Sequence, residues 1–332
     1  MHSESDTFLS VTINQLDMEE GSPPVLSELI LEREREMEGE RGRVCVTGGT
    51  GYLASWLIMK LLEQGYLVNT TVRPHPEHKR DVSFLTSLPG GSERLQIFYA
   101  DLSDPSGFAV ALTGCIGVFH VATPLPLDFE KGEPEEVVVI ERAINGTLGI
   151  LRACLNSKTV KRVVYTSSAA AVVFNDSGEE MMDESYWSNV DYLKSSNLRL
   201  LLNSTYDVLK AVHLMDNIVS GNREQYGSLI ETSMVHIDDV ARAHIFLLQN
   251  PEAKGRYICS SHMITIEEMS KFLSAKFPEY PIPTLEYLKD VKGSKSSDVS
   301  SKKLLDSGFK FRYGLDEMFD GAIQCCKEKG FL

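Results

Sequence analysis

The stretch Val44–Trp56, VCVTGGTGYLASW, decides how this 332-residue chain is read. A short apolar run comes first, as a buried strand needs, and an amphipathic pattern follows, as a helix needs. Between them Gly48, Gly51 and Ala54 form G-x-x-G-x-x-A. Glycine allows a tight turn and lets the backbone approach a pyrophosphate, which then meets the positive end of the helix. Alanine in the third position still permits close packing of helix on strand. Thr50, Tyr52 and Leu53 complete the turn that would hold the cofactor. The bland alternative is an ordinary strand–helix turn, because a lone glycine triplet is a weak signal.

Working outward, the runs at 44–47, 67–72, 95–100, 117–122 and 162–167 read as buried parallel strands. Helical patterns lie between them at Tyr52–Gln64, near Glu77–Leu88, at Ser106–Leu112 and at Pro134–Asn156. Such alternation implies an α/β fold, a Rossmann-type doubly wound parallel sheet with right-handed crossovers. Later helices are expected at Leu198–Asn217, Asp238–Gln249, Thr265–Phe277 and Leu315–Lys327, with a further strand at 255–261. The end of the second strand selects the cofactor. An NAD enzyme places an acid there for the ribose 2′-hydroxyl, whereas NTTVRPHPEHKR supplies Arg73, Lys79 and Arg80. These suit a 2′-phosphate, so NADPH is the expected cofactor. Asp101, followed by Leu102 after the third strand, would meet the adenine or else serve as a helix N-cap.

The net charge is −14, of which residues 1–40 hold −9. An acidic chain is a poor partner for nucleic acid, and no apolar run reaches the length of a membrane span. Residues 1–36 read as a disordered acidic extension, since MEEGSPP and EREREMEGERG offer little to bury. Neither the six cysteines nor His236, Asp238 and Asp239 suggest a metal site. Reduced, buried thiols and a cytoplasmic location are expected.

Together with ADLSDP (100–105), GVFHVATP (117–124), VKRVVYTSS (160–168), HIDDVARAHIFLL (236–248) and GRYICSS (255–261), the glycine turn resembles the extended short-chain dehydrogenase/reductase family. Within it the chain is most similar to the plant dihydroflavonol-reductase-like group, in its vestitone-reductase-like branch. The resemblance implies NADPH-dependent reduction of a flavonoid or isoflavonoid carbonyl or hemiacetal, a phenolic small-molecule substrate and a Ser–Tyr–Lys site. Ser168 matches the family's serine, and Ala122 and Thr123 match the segment lining the cofactor. Tyr206 and Lys210 have the four-residue spacing of the family's acid pair, although their flanking residues depart from the pattern. By the same resemblance the chain starts naturally at Met37 and is short by roughly thirty residues between Lys210 and His236, the scale of a strand–helix–strand unit. The sheet is therefore expected to lack one strand around 197–221. The expected organisation is a Rossmann domain at 37–205 and a truncated region completing the sheet and a smaller substrate lobe at 206–332. A catalytically impaired nucleotide-binding variant is one alternative. A dihydroflavonol 4-reductase or anthocyanidin reductase is another, with Val173 standing against the former. Oligomeric state is left open, a monomer being preferred.

Overall fold

The computed structural model describes residues 7–9, 11–18, 41–74, 80–123, 135–175, 177–189, 191, 231–291 and 298–329. Its strands are β1 (Thr7–Leu9), β2 (Val11–Asp17), β3 (Arg43–Thr47), β4 (Leu67–Val72), β5 (Leu95–Tyr99) and β6 (Cys115–His120). They continue as β7 (Arg162–Thr166), β8 (Met181–Met182), β9 (Glu231–His236), β10 (Gly255–Cys259), β11 (His262–Thr265) and β12 (Asp298–Val299). Seven of them form one sheet in the order β10-β2-β7-β6-β3-β4-β5.

The run β5-β4-β3-β6-β7 is parallel throughout, as the alternation of strands and helices predicts. Val44 pairs with Val68 and Val118 with Val163, so the apolar runs lie side by side. Helix α1 (Tyr52–Glu63) follows β3 and buries Leu53, Ala54, Leu57, Ile58, Leu61 and Leu62. Gly65, at φ 85°, ends it in the left-handed region, and the Tyr66 amide donates back to Leu61 at 3.0 Å. The helix Glu135–Ser157 precedes β7, and Ile150 and Cys154 pack with Phe108, Leu112, Val118 and Val163. Cys45, Cys115 and Cys154 share this core, and burial pushes the last two thiols up to about 12. Such thiols stay protonated and act as small apolar side chains.

The N-terminal extension departs from expectation. Thr7–Leu9 and Val11–Asp17 are strands, not solvated chain. The Ser167 amide donates to Thr12 O at 2.7 Å and the Met18 amide to Lys161 O at 3.0 Å. Chain numbers thus run in opposite directions, and β2 lies antiparallel to β7. A strand was expected to be missing around 197–221. Those residues lie outside the described set, and the sheet position next to β7 is taken by β2. The acids dominate the composition of the first forty residues and mask a β-branched run, Val11-Thr12-Ile13, whose last two side chains are fully buried.

The described residues divide into two compact units, one within 14–166 and 241–255, the other within 1–13, 167–240 and 256–332. In the first, the Arg162 guanidinium gathers the carbonyls of Leu247, Leu248, Asn250 and Pro251 at the end of the helix Ile237–Gln249. A cation there satisfies acceptors that have no partner within the helix. In the second, β9 pairs with β1 on one side and β11 on the other, both antiparallel. Helix Ile266–Lys276 begins with a reciprocal cap between Thr265 and Glu268, and packs Met269 and Leu273 against Phe319 and Ile323 of the helix Leu315–Lys329. His236 stacks on Tyr313 with ring centroids 3.9 Å apart.

Asp239, fully buried, accepts the Arg312 amide at 3.0 and 3.1 Å and the Tyr313 amide at 3.2 Å. Its carboxylate is therefore committed to backbone donors, which ties the start of the helix Ile237–Gln249 to the segment before the last helix. Asp239→Ala should lower stability by roughly 3 kcal/mol, since charge-assisted bonds to buried donors are lost. Thermal melting should show a drop of several degrees, and an unchanged midpoint would contradict the role assigned to this carboxylate.

Candidate active site

The glycine turn is strapped to β4. The Gly49 amide donates to Thr71 O at 2.8 Å, the Gly48 amide reaches Thr71 Oγ1 at 3.3 Å, and the Gly51 amide donates to Gly48 O at 2.8 Å. Gly48 has φ 74°, and a Cβ there would lie 3.1 Å from both Cα and Cβ of Ala122. A Cβ on Gly49 would lie 2.2 Å from Thr70 Oγ1, which itself donates to Val46 O. The turn therefore requires glycine for backbone conformation at 48 and for space at 49. Helix α1 starts at Gly51 without a side-chain cap and has no acid in its first turn. That leaves its N-terminal amides for an anion, the feature a pyrophosphate needs.

The predicted cofactor residues fall as follows. Gly48, Thr50, Gly51 and Tyr52 line the turn, while the Leu53 side chain is buried in the core, so only its backbone can serve a ligand. Ala122 is brought against Gly48, and Thr123 is exposed beside it. Arg73 follows β4 directly, with no acid between 67 and 74. Arg80 is half-buried, and its Nε finds no hydrogen-bond partner among the described residues. Lys79 lies outside the described residues. Asp101 Oδ1 accepts the Ser103 amide at 2.8 Å and the Ser103 hydroxyl at 2.7 Å, so this carboxylate caps its own turn. Leu102 packs against the core of the helix Glu135–Ser157.

Thr47 and His120 support the turn from below, a contact that motif reading along the chain does not find. Thr47 Oγ1 accepts the amides of Val121 at 3.1 Å and Ala122 at 3.0 Å. With both acceptor positions in use, its proton goes to His120 Nδ1, 2.9 Å away. The ring hydrogen then resides on Nε2, facing Thr147 Oγ1 at 3.4 Å. His120 is buried and stacks on Tyr165 at 5.2 Å. Burial lowers its pKa to about 4. The visible signal was a threonine closing β3 with a histidine closing the neighbouring β6.

Ser168 follows the C-terminal end of β7. Its Oγ accepts the Ala170 amide at 3.2 Å, which leaves the hydroxyl proton for a different acceptor. Its carbonyl accepts the Thr12 hydroxyl at 3.1 Å and the Ala171 amide at 3.0 Å. Tyr206 and Lys210 lie outside the described residues. Among the described residues no group of three or more His, Cys, Asp or Glu side chains could hold a metal, and no helix is long and apolar enough to cross a membrane.

His120 also sets a pH dependence. Above its unfolded value of 6.5 both states are neutral and stability is unaffected. Between 6.5 and about 4 only the unfolded chain takes up the proton, so stability falls as pH is lowered. The difference approaches about 3 kcal/mol when both values are passed. Melting curves of the wild type and His120→Gln at pH 7.5 and 5 should differ in slope, with the wild type losing more. Equal slopes would show that His120 titrates normally.

The model of the 3-beta hydroxysteroid dehydrogenase/isomerase family matches residues 45–195. Vestitone reductase of Medicago sativa is 51% identical over 326 aligned positions, covering 88% of this chain and 99% of that protein. Dihydroflavonol 4-reductase of Callistephus chinensis is 39% identical and covers 87% of each chain. Protein BRI1-5 ENHANCED 1 of Arabidopsis thaliana is 45% identical, covering 88% of this chain and 90% of that one. The crystal structure of alfalfa vestitone reductase superposes with a TM-score of 0.74 at 46% identity, over 88% of this chain and 100% of that one. Yeast methylglyoxal/isovaleraldehyde reductase complexed with NADPH has a TM-score of 0.63 at 22% identity, over 87% of this chain and 100% of that one, a likeness of fold. Since 88% of this chain is about 292 residues, roughly thirty of the 326 positions are filled by the Medicago protein alone, and about 40 residues here are unmatched. The first number agrees in size with the shortfall expected between Lys210 and His236. With the glycine turn, the parallel sheet and these identities in place, the chain belongs to the extended short-chain dehydrogenase/reductase family, in the plant dihydroflavonol-reductase-like group that includes vestitone reductase.

Proposed function

We propose that this protein is an NADPH-dependent reductase of a flavonoid or isoflavonoid carbonyl or hemiacetal, acting in the cytoplasm on a phenolic small molecule. The observation that supports the cofactor most directly is the end of β4. Arg73 and Arg80 stand where a 2′-hydroxyl-binding acid would be, next to a glycine turn at an uncapped helix. NADPH, when bound, supplies the hydride. The Gly48–Gly51 turn and α1 amides hold its pyrophosphate, and the arginines, with Lys79, offset the charge of its 2′-phosphate. The Ser168 hydroxyl donates a hydrogen bond to the substrate oxygen, where negative charge develops. Tyr206 delivers the proton to that oxygen, and Lys210, four residues on, lowers the tyrosine's pKa from about 10.

Vestitone reductase and dihydroflavonol 4-reductase at 51% and 39% identity favour the substrate class. Val173 lies half-buried beside the Val172 cluster, an apolar place that favours a substrate other than a dihydroflavonol. The shortfall of roughly thirty positions supports the second reading, a nucleotide-binding relative with impaired catalysis.

NADPH absorbance followed with a panel of isoflavonoid and flavonoid carbonyl compounds decides between them: turnover supports the enzyme, and none with any substrate supports the impaired variant. Arg73→Ala should raise KM for NADPH at least tenfold while leaving NADH use little changed, and an equal loss for both would remove the 2′-phosphate argument. Tyr206→Phe should cut kcat by about 10²–10⁴, the usual worth of a positioned general acid, with NADPH binding retained. An unchanged rate would make the Tyr206–Lys210 spacing a coincidence.

A further inference from the structure

We infer that Thr12, on the N-terminal strand β2, is a positioning residue for Ser168. Thr12 is fully buried and binds the serine pair through both of its oxygens. Its carbonyl accepts the Ser167 amide at 2.7 Å, and its hydroxyl donates to the Ser168 carbonyl at 3.1 Å. Beyond Ser168 the chain is held by local turns, the Ala170 amide on Ser168 Oγ and the Ala171 amide on Ser168 O, and by Ser188, whose hydroxyl and amide donate to Ala170 O and Ala171 O. The described bonds from outside this region to the serine pair itself come from Thr12. Those local bonds set the shape of the turn. The two bonds to Thr12 set its height and tilt relative to the sheet, which is what aims a hydroxyl at a substrate oxygen. Ile13, also fully buried, and the Met18 amide bonded to Lys161 O anchor β2 itself, so Thr12 is held and not merely adjacent.

This inference rests on Ser168 being the hydroxyl that donates to substrate, and it adds a residue outside the Ser–Tyr–Lys set, more than 150 positions away in sequence. It also gives the N-terminal segment a part in activity. Threonine suits this position because its β-branch favours the strand, and its hydroxyl reaches a carbonyl that no ladder bond satisfies.

The test is a double-mutant cycle with two independent readouts. Thr12→Val keeps the shape and removes the hydroxyl. It should lower kcat about tenfold, as loss of one aligning hydrogen bond does, with KM for NADPH unchanged. Thr12→Ser should restore the rate. In a Ser168→Ala background Thr12→Val should have no further effect. An equal loss in both backgrounds, or no loss in the first, overturns the inference. The second readout does not depend on turnover: amide exchange of the peptide spanning residues 160–170, read by mass spectrometry. Asn14→Pro removes an amide that the Thr12–Ser167 and Met18–Lys161 register directs at β7, and should speed that exchange at least tenfold; unchanged protection would overturn the contact. If the wild type turns over no substrate, the reductase reading falls, and the exchange result still decides whether β2 holds the serine turn.

Discussion

Ser167 donates its amide hydrogen to Thr12, and Met18 donates its own to Lys161, so that β7 has a partner along its length on the side away from β6. An interior strand of a sheet covered on both faces cannot leave that row of donors and acceptors without partners, because each buried backbone group left alone costs as much as a lost hydrogen bond. A handful of such groups would consume most of the net stability of an ordinary domain. The pairing thus spares β7 the unpaired edge that β5 presents at the other end of the sheet. Among the described residues, the ladder on that side of β7 is completed from the N-terminus.

The ligand-facing end of the same sheet depends on a second buried arrangement. Thr47 closes β3, His120 closes β6, and one hydroxyl joins them while receiving the two amides of Val121 and Ala122. Ala122 is in turn the residue that Gly48 approaches closely, a Cβ there coming within 3.1 Å of it. The position of the glycine turn is therefore transmitted from β6 through a neutral imidazole. A charged ring could not accept the Thr47 proton, so the burial that lowers the His120 pKa also preserves the geometry of the turn.

Much of this was legible in the sequence, for reasons that differ by element. The strands β3, β4, β6 and β7 are apolar runs buried on both faces, which is a local signal, and the glycine turn is specified by conformations that only glycine adopts. Strand β2 was not legible. Its pattern, VTINQLD, mixes a β-branched start with polar residues, and its partner β7 lies about 150 residues downstream, so nothing nearby marks it as sheet. The surrounding acids point the other way. Asp101 read as an adenine contact or a helix N-cap, and the observed geometry is a cap on its own turn, with no helix beginning at Ser103. The Thr47–His120 contact pairs residues from different strands, and a motif read along the chain has no access to that register.

The direction of β2 has a consequence for the substrate side. In an open α/β sheet, ligands are met at the C-terminal ends of the parallel strands. A sixth parallel strand would end there and deliver the loop after it. Strand β2 is antiparallel to β7, so it begins there, with Thr12 beside Ser167, and ends at Met18 beside Lys161, at the opposite edge. The residues that reach the ligand-facing end of this strand are therefore those before Val11. They continue into β1, where Thr7, Phe8 and Leu9 pair with His236, Val235 and Met234.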